Sequence, residues 1–211
     1  SDGNAGDLSA PYLTISRAAG VATAGDIIVV HAGTYREYVA PPRGGTSDAE
    51  RIVYRANPGD EVYVKGSEAI SSWPHIDGDV SEAQLDNTLF GDYNPYALNV
   101  DGDFQTYGQW HHRGEVYIDN ISLNECRSRA AVEAEVYTWF AYVGAETTII
   151  AANFAALAPN ERQTEVNVRE LLFFPTAMDI DYITIDGLRF LHAAPNWQAP
   201  NIGAGDPHPQ T

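Results

Sequence analysis

Two short β-branched runs, Ile27-Ile28-Val29-Val30 and Ile52-Val53-Tyr54-Arg55, bound what this chain can become. Each is too short for a helix, and each closes in a turn, the first around Gly33 and the second at Asn57-Pro58-Gly59-Asp60. From Ile28 to Val53 is 25 residues, which matches one solenoid coil of roughly 20–29 residues better than a strand–helix–strand unit. Arg36 to Val39, ending at Pro41-Pro42, and Val62-Tyr63-Val64, stopping at Gly66, read as further strands with no helix between them. The pattern predicts an all-β chain built from stacked parallel coils.

Such a stack exposes an apolar edge at its first coil and needs a cap. Pro11 precedes a short amphipathic helix over 13–24, with Ile15, Ala18, Ala19 and Ala22 on one stripe. Thr14 is its expected N-cap and Gly25 its expected stop.

From Ser71 the texture changes. Trp73-Pro74, Asp77-Gly78-Asp79 and Asn94-Pro95 punctuate an irregular stretch rich in turn formers. Val116-Tyr117-Ile118 and Ile121-Ser122-Leu123 flank Asp119-Asn120, a two-residue hairpin signal because both residues tolerate positive φ. A helical turn or two fits 128–135, and strands return at Trp139 to Val143, Thr147 to Ala151 and Glu165 to Arg169. An antiparallel sandwich or sheet module over 71–172 is expected. Past Pro175, Asp181-Tyr182-Ile183-Thr184-Ile185-Asp186-Gly187-Leu188-Arg189-Phe190 resumes the coil texture, with Ile183, Ile185, Leu188 and Phe190 expected inward and Gly187 at a bend. The predicted plan is cap and first coils at 1–70, an insert at 71–172 and a return to the coils at 173–211. No closing cap follows, as expected for part of a longer protein.

Charge narrows the function. With 12 Lys and Arg against 29 Asp and Glu the net charge is −17, which repels phosphate backbones and anionic headgroups, so nucleic acid and membrane surfaces are not expected partners. A polyuronate substrate is disfavoured on the same ground, whereas a small neutral oligosaccharide is not. No apolar run approaches the ~18 residues of a membrane span. No signal peptide is visible, so the compartment stays open with the cytoplasm favoured. The single cysteine, Cys126, permits no internal disulfide and reads as a core or half-buried thiol.

No nucleophile motif, phosphate loop or zinc signature is present, and the adjacent His111 and His112 lack the i, i+4 spacing of a helical zinc site. Asp179 and Asp181 share a strand face that suits calcium or, more simply, a solvated edge; no cofactor is expected. Glu37 beside Arg36 reads as a rim ion pair. The aromatics say more, because sugar rings pack their C–H faces on flat side chains. Tyr93, Tyr96, Phe104, Tyr107 and Trp110 cluster in a turn-rich stretch, and Trp197 lies near His192. Phe104, Tyr96, Trp110, Trp197 and His192 are the candidate substrate-binding residues, with packing between insert and coils as the competing reading for each.

Three groups of phrases carry a resemblance. The first is Ala24-Gly25-Asp26-Ile27-Ile28-Val29-Val30-His31-Ala32-Gly33-Thr34-Tyr35-Arg36-Glu37 with Arg51-Ile52-Val53-Tyr54-Arg55-Ala56 and Val64-Lys65-Gly66-Ser67-Glu68. The second is Phe90-Gly91-Asp92-Tyr93-Asn94-Pro95-Tyr96, Gly114-Glu115-Val116-Tyr117-Ile118 and Ala152-Asn153-Phe154. The third is Asp181-Tyr182-Ile183-Thr184 with His192-Ala193-Ala194. Together they resemble glycoside hydrolase family 120, the bacterial β-xylosidases. The first group is shared by many β-helix proteins, and the insert phrases with His192-Ala193-Ala194 single out the family. Phe104 departs from the pattern, standing where Trp is expected, and the stretch 125–138 does not align.

The resemblance implies a right-handed parallel β-helix of the pectate-lyase kind interrupted by a β-sandwich, and retaining removal of xylose from short β-1,4-xylo-oligosaccharides. Retention needs two carboxylates ~5–5.5 Å apart. In the family these lie on later coils beyond position 211, so no catalytic residue is assigned here and the chain alone is expected to be inactive. A homo-oligomer is conceivable for the full-length protein. The competing readings are a polysaccharide lyase or epimerase, which would need a Lys/Arg-lined groove, and a non-catalytic carbohydrate-binding β-helix.

Overall fold

The computed structural model describes residues 1–100 and 110–194. The described residues divide into two compact units, one formed by 1–66 with 171–191 and the other drawn from 67–170 with 192–194. Among the described residues, apart from two short helices and four single 3-10 turns, the regular structure is β.

In the first unit, helix α1 (Ile15–Val21) forms where Thr14, in extended conformation, accepts a hydrogen bond from the Arg17 amide at 3.0 Å. Ile15, Ala19 and Ala22 are buried, as the stripe predicts. The helix ends before Gly25, because Ala22 turns to ψ 145° and the Asp26 carboxylate accepts from the Thr23 amide at 2.7 Å, closing a separate turn. Strands β1 (Ile27–Val30), β2 (Gly33–Tyr35), β3 (Ile52–Ala56) and β4 (Val62–Lys65) follow. The strand expected over 36–39 is absent. Residues 33–35 take the pairing with β4, and the chain then leaves the sheet, so that Val39 makes only a single bridge to Phe173. Leaving the sheet lets the Glu37 carboxylate reach the amides of Ile15 and Ser16, at 2.9 and 2.8 Å, so Glu37 caps α1 as well as lying beside Arg36.

The second unit opens with β5 (Ser67–Ala69), β6 (His75–Asp77) and β7 (Val80–Asp86), then β8 (Val116–Ile118), β9 (Ile121–Ser122) and β10 (Asn124–Glu125). Helix α2 (Arg129–Ala134) is capped by Ser128, and β11 (Thr138–Val143), β12 (Thr147–Asn153) and β13 (Thr164–Asn167) complete it. The β8–β9 hairpin turns through Asp119 at φ 50° and Asn120 at φ 65°, the left-handed pair its sequence signals. Strand β7 lies where the sequence reads as irregular. Its Glu, Ala and Gln carry no strand preference, and it is held between β12 and β6 in the five-stranded sheet β10-β11-β12-β7-β6. A second sheet runs β5-β13-β8-β9. One apolar cluster draws on both sheets, with Trp73, Tyr96, Ile118, Trp139, Ile150 and Phe154 almost wholly buried. Free Cys126 is a core thiol, packed with Val80, Val132 and Ala151.

The chain returns to the first unit with β14 (Ile183–Asp186) and β15 (Leu188–Leu191). Its two three-stranded sheets, β1-β3-β14 and β2-β4-β15, are parallel throughout. The register sets Ile28 opposite Tyr54, one residue beyond the spacing read from the sequence. Gly187, at φ 76°, makes the bend between β14 and β15, and a Cβ there would come within 3.1 Å of that of Ala56. The inward pattern expected for this segment holds only in part. Ile183 and Leu188 are half-buried, whereas Ile185 is 41% and Phe190 36% exposed, because β14 and β15 are the last strands of their sheets and have neighbours on one side only.

Candidate functional site

In the second unit, residues 98–100 and 111–113 run antiparallel, the Val100 amide donating to the His111 carbonyl at 2.8 Å and the Arg113 amide to that of Leu98 at 2.9 Å. Glu125 of β10 fastens this pair from the side. One carboxylate oxygen accepts from the His112 backbone amide at 2.9 Å and lies 3.3 Å from His111 Nδ1; the other lies 2.5 Å from His112 Nδ1. The carboxylate is 6% exposed, a burial that charge can tolerate only with such partners.

A second clamp acts on residues 113–115. Asn167 of β13 accepts from the Glu115 amide at 2.7 Å and donates to the Arg113 carbonyl at 3.0 Å, and the Tyr96 hydroxyl donates to the Glu115 carbonyl at 2.7 Å. Gly114 is required between them, because a Cβ there would stand 2.3 Å from the Tyr96 ring. The Glu115 carboxylate accepts from Tyr117 Oη at 3.0 Å and from Ser122 Oγ. Burial, then the charge of Glu115, drives the Tyr117 hydroxyl far above the ordinary tyrosine range, so it stays a donor.

These residues line an open cavity of about 320 Å³, with His111, His112, Arg113, Glu115, Glu125 and Trp139 in its wall together with Ala193-Ala194. Arg113 reaches away toward Glu170 at 3.5 Å, and Tyr93 Oη donates to the Ala194 carbonyl. The cavity wall therefore carries carboxylate, imidazole and guanidinium groups that pair with one another, and the Trp139 indole behind it is buried.

The residues expected to bind sugar fare differently. Tyr96 is 1% exposed, edge-on to Phe90 and Trp139 in the core, so its faces cannot receive a sugar ring. His192 is also enclosed: its side chain is 6% exposed, stacked on Tyr117 at 3.7 Å, with Nδ1 2.9 Å from Ser67 Oγ and 3.5 Å from the wholly buried Glu165. It belongs to a buried polar cluster, held by a backbone at φ 62°. Trp110 is half-buried beside the cavity, lying over the His111 ring at 3.6 Å and beneath the Arg127 guanidinium at 4.8 Å. Phe104, Tyr107 and Trp197 lie outside the described residues. Among the described residues no group of three or more His, Cys, Asp or Glu is placed to hold a metal ion, so the calcium reading of Asp179 and Asp181 gains no ligand set.

Sequence reasoning passed over Glu125 and Trp139. Parallel pairing of β10 with β11 sets them opposite one another, and no motif marks that meeting.

A family model described as the insertion domain of glycoside hydrolase 120 matches residues 70–136, most of the segment that builds this cavity. The solved structure titled "The complex structure of XylC with xylose" is 39% identical, with a TM-score of 0.89 over 95% of this chain and 35% of that one. The chain thus spans about a third of XylC. No curated protein sequence matches it. The class these findings define is that of the glycoside hydrolases. Within it, residues 70–136 match the insertion domain of glycoside hydrolase family 120, and the chain as a whole is similar to XylC.

Proposed function

We propose that the chain is the N-terminal portion of a xylosidase-type glycoside hydrolase that removes xylose, with retention, from short β-1,4-xylo-oligosaccharides. The observation that carries this reading is the 39% identity to XylC, a protein solved with xylose, over nearly the whole chain. In this reading the first unit begins a right-handed parallel β-helix, each coil giving one strand to each three-stranded parallel sheet. The second unit is an inserted β-sandwich, and the plan is 1–70, 71–172 and 173–211. The parallel registers and the core shared by two sheets support it.

A retaining reaction needs a nucleophile and an acid/base ~5–5.5 Å apart. Glu115 and Glu125, the carboxylates of the cavity, are already engaged by Tyr117, Ser122, His111 and His112, and no catalytic step is assigned to them. The pair is proposed to lie in later coils. The net charge of −17 favours a neutral xylo-oligosaccharide over a polyuronate.

The test compares the 211-residue chain with a version extended to the length of XylC, each given xylobiose and an aryl β-xyloside. The extended protein should release β-xylose first, as NMR of the fresh product would show, and the short chain should release none. Turnover by the short chain, abolished by mutating one of its own carboxylates, would overturn the placement of the catalytic pair. An extended protein inert on both substrates would overturn the activity.

A further inference from the structure

We draw no further inference here: the strongest candidate, the apolar groove of about 630 Å³ that Leu8, Tyr12, Val21, Ile27 and Val29 line beside the outer edge of β1, carries nothing, because nothing in the structure shows what covers it.

Discussion

The carboxylate of Glu37 accepts a hydrogen bond from the backbone amide of Ile15 at 2.9 Å, across 22 residues of sequence. Helix α1 has no acidic residue in its own first turn, so Glu37 supplies the negative end that complements the helix dipole and satisfies two amides that would otherwise be unpaired. Glu37→Ala should therefore cost about 1–2 kcal/mol. Glu37→Gln, which keeps an acceptor without the charge, should recover part of that. The denaturant midpoint of the two variants against the parent checks it.

Two glycine substitutions should have opposite signs. Gly114→Ala drives a methyl into the Tyr96 ring, which is held by Phe90, Trp139 and its own hydroxyl bonds, and should destabilise by about 1–3 kcal/mol. Gly20→Ala, in α1 with nothing within 4 Å of the new carbon, should stabilise by roughly 0.5–1 kcal/mol. Thermal unfolding of both proteins decides the signs.

Tyr54 is fully buried against Phe173, and its hydroxyl has no partner among the described residues. Tyr54→Phe removes an unpaired polar atom and little volume, so it should be neutral or stabilising at neutral pH. Burial pushes the Tyr54 hydroxyl up to about 12 from an ordinary 10.0, with the charge of Arg43 pulling weakly the other way. Its contribution is therefore complete below pH 10 and lost as the pH rises through about 12. Base titration followed by tyrosinate absorbance should show unfolding in that window, shifted upward in Tyr54→Phe.

Acid should loosen the first unit from the opposite side. The backbone amide of Ala32, then the Asn57 side chain, with a smaller part from His31, hold the Asp60 carboxyl below its ordinary 3.8, and the amide and hydroxyl of Thr23 do the same for Asp26. The unfolded chain binds these protons more readily, so stability rises with pH across the window. It is complete above 3.8 and drains away as the pH falls through the lower, folded values. Denaturant curves taken from pH 5 downward should show the loss, with a shallower slope in Asp60→Asn.

The elements read correctly from the sequence are those whose signals are local. Thr14 capping α1 and Asp119-Asn120 turning the β8–β9 hairpin depend on a few neighbouring atoms, and both stand as expected. Strand β7 depends on β12 and β6 lying on either side of it, which no property of Glu82, Ala83 or Gln84 announces. Tyr96, among the candidate site residues, is misleading for a related reason. It has the composition of a sugar platform, but an aromatic ring looks the same in sequence whether its faces meet a ligand or Phe90. Ile185 and Phe190 have the alternation of inward residues, yet on β14 and β15 they are covered from one side of the sheet only and stay partly exposed.

Arg55 on β3 and Asp186 on β14 meet at 2.8 Å across 131 residues. At about 5–20 residues per second, a ribosome delivers the second strand on the order of ten seconds after the first. During that interval most of the second unit is synthesised, while β3 waits with one edge unpaired. The order of completion thus departs from the order of sequence: the unit set into the middle completes most of its fold first, and the strands on either side of it pair last. A released chain ending at residue 182 should resist protease across 110–170 and be cut within 27–65. For expression, the consequence is that chaperone supply and translation speed act on β3 and β4, which are born early and gain their second partners late.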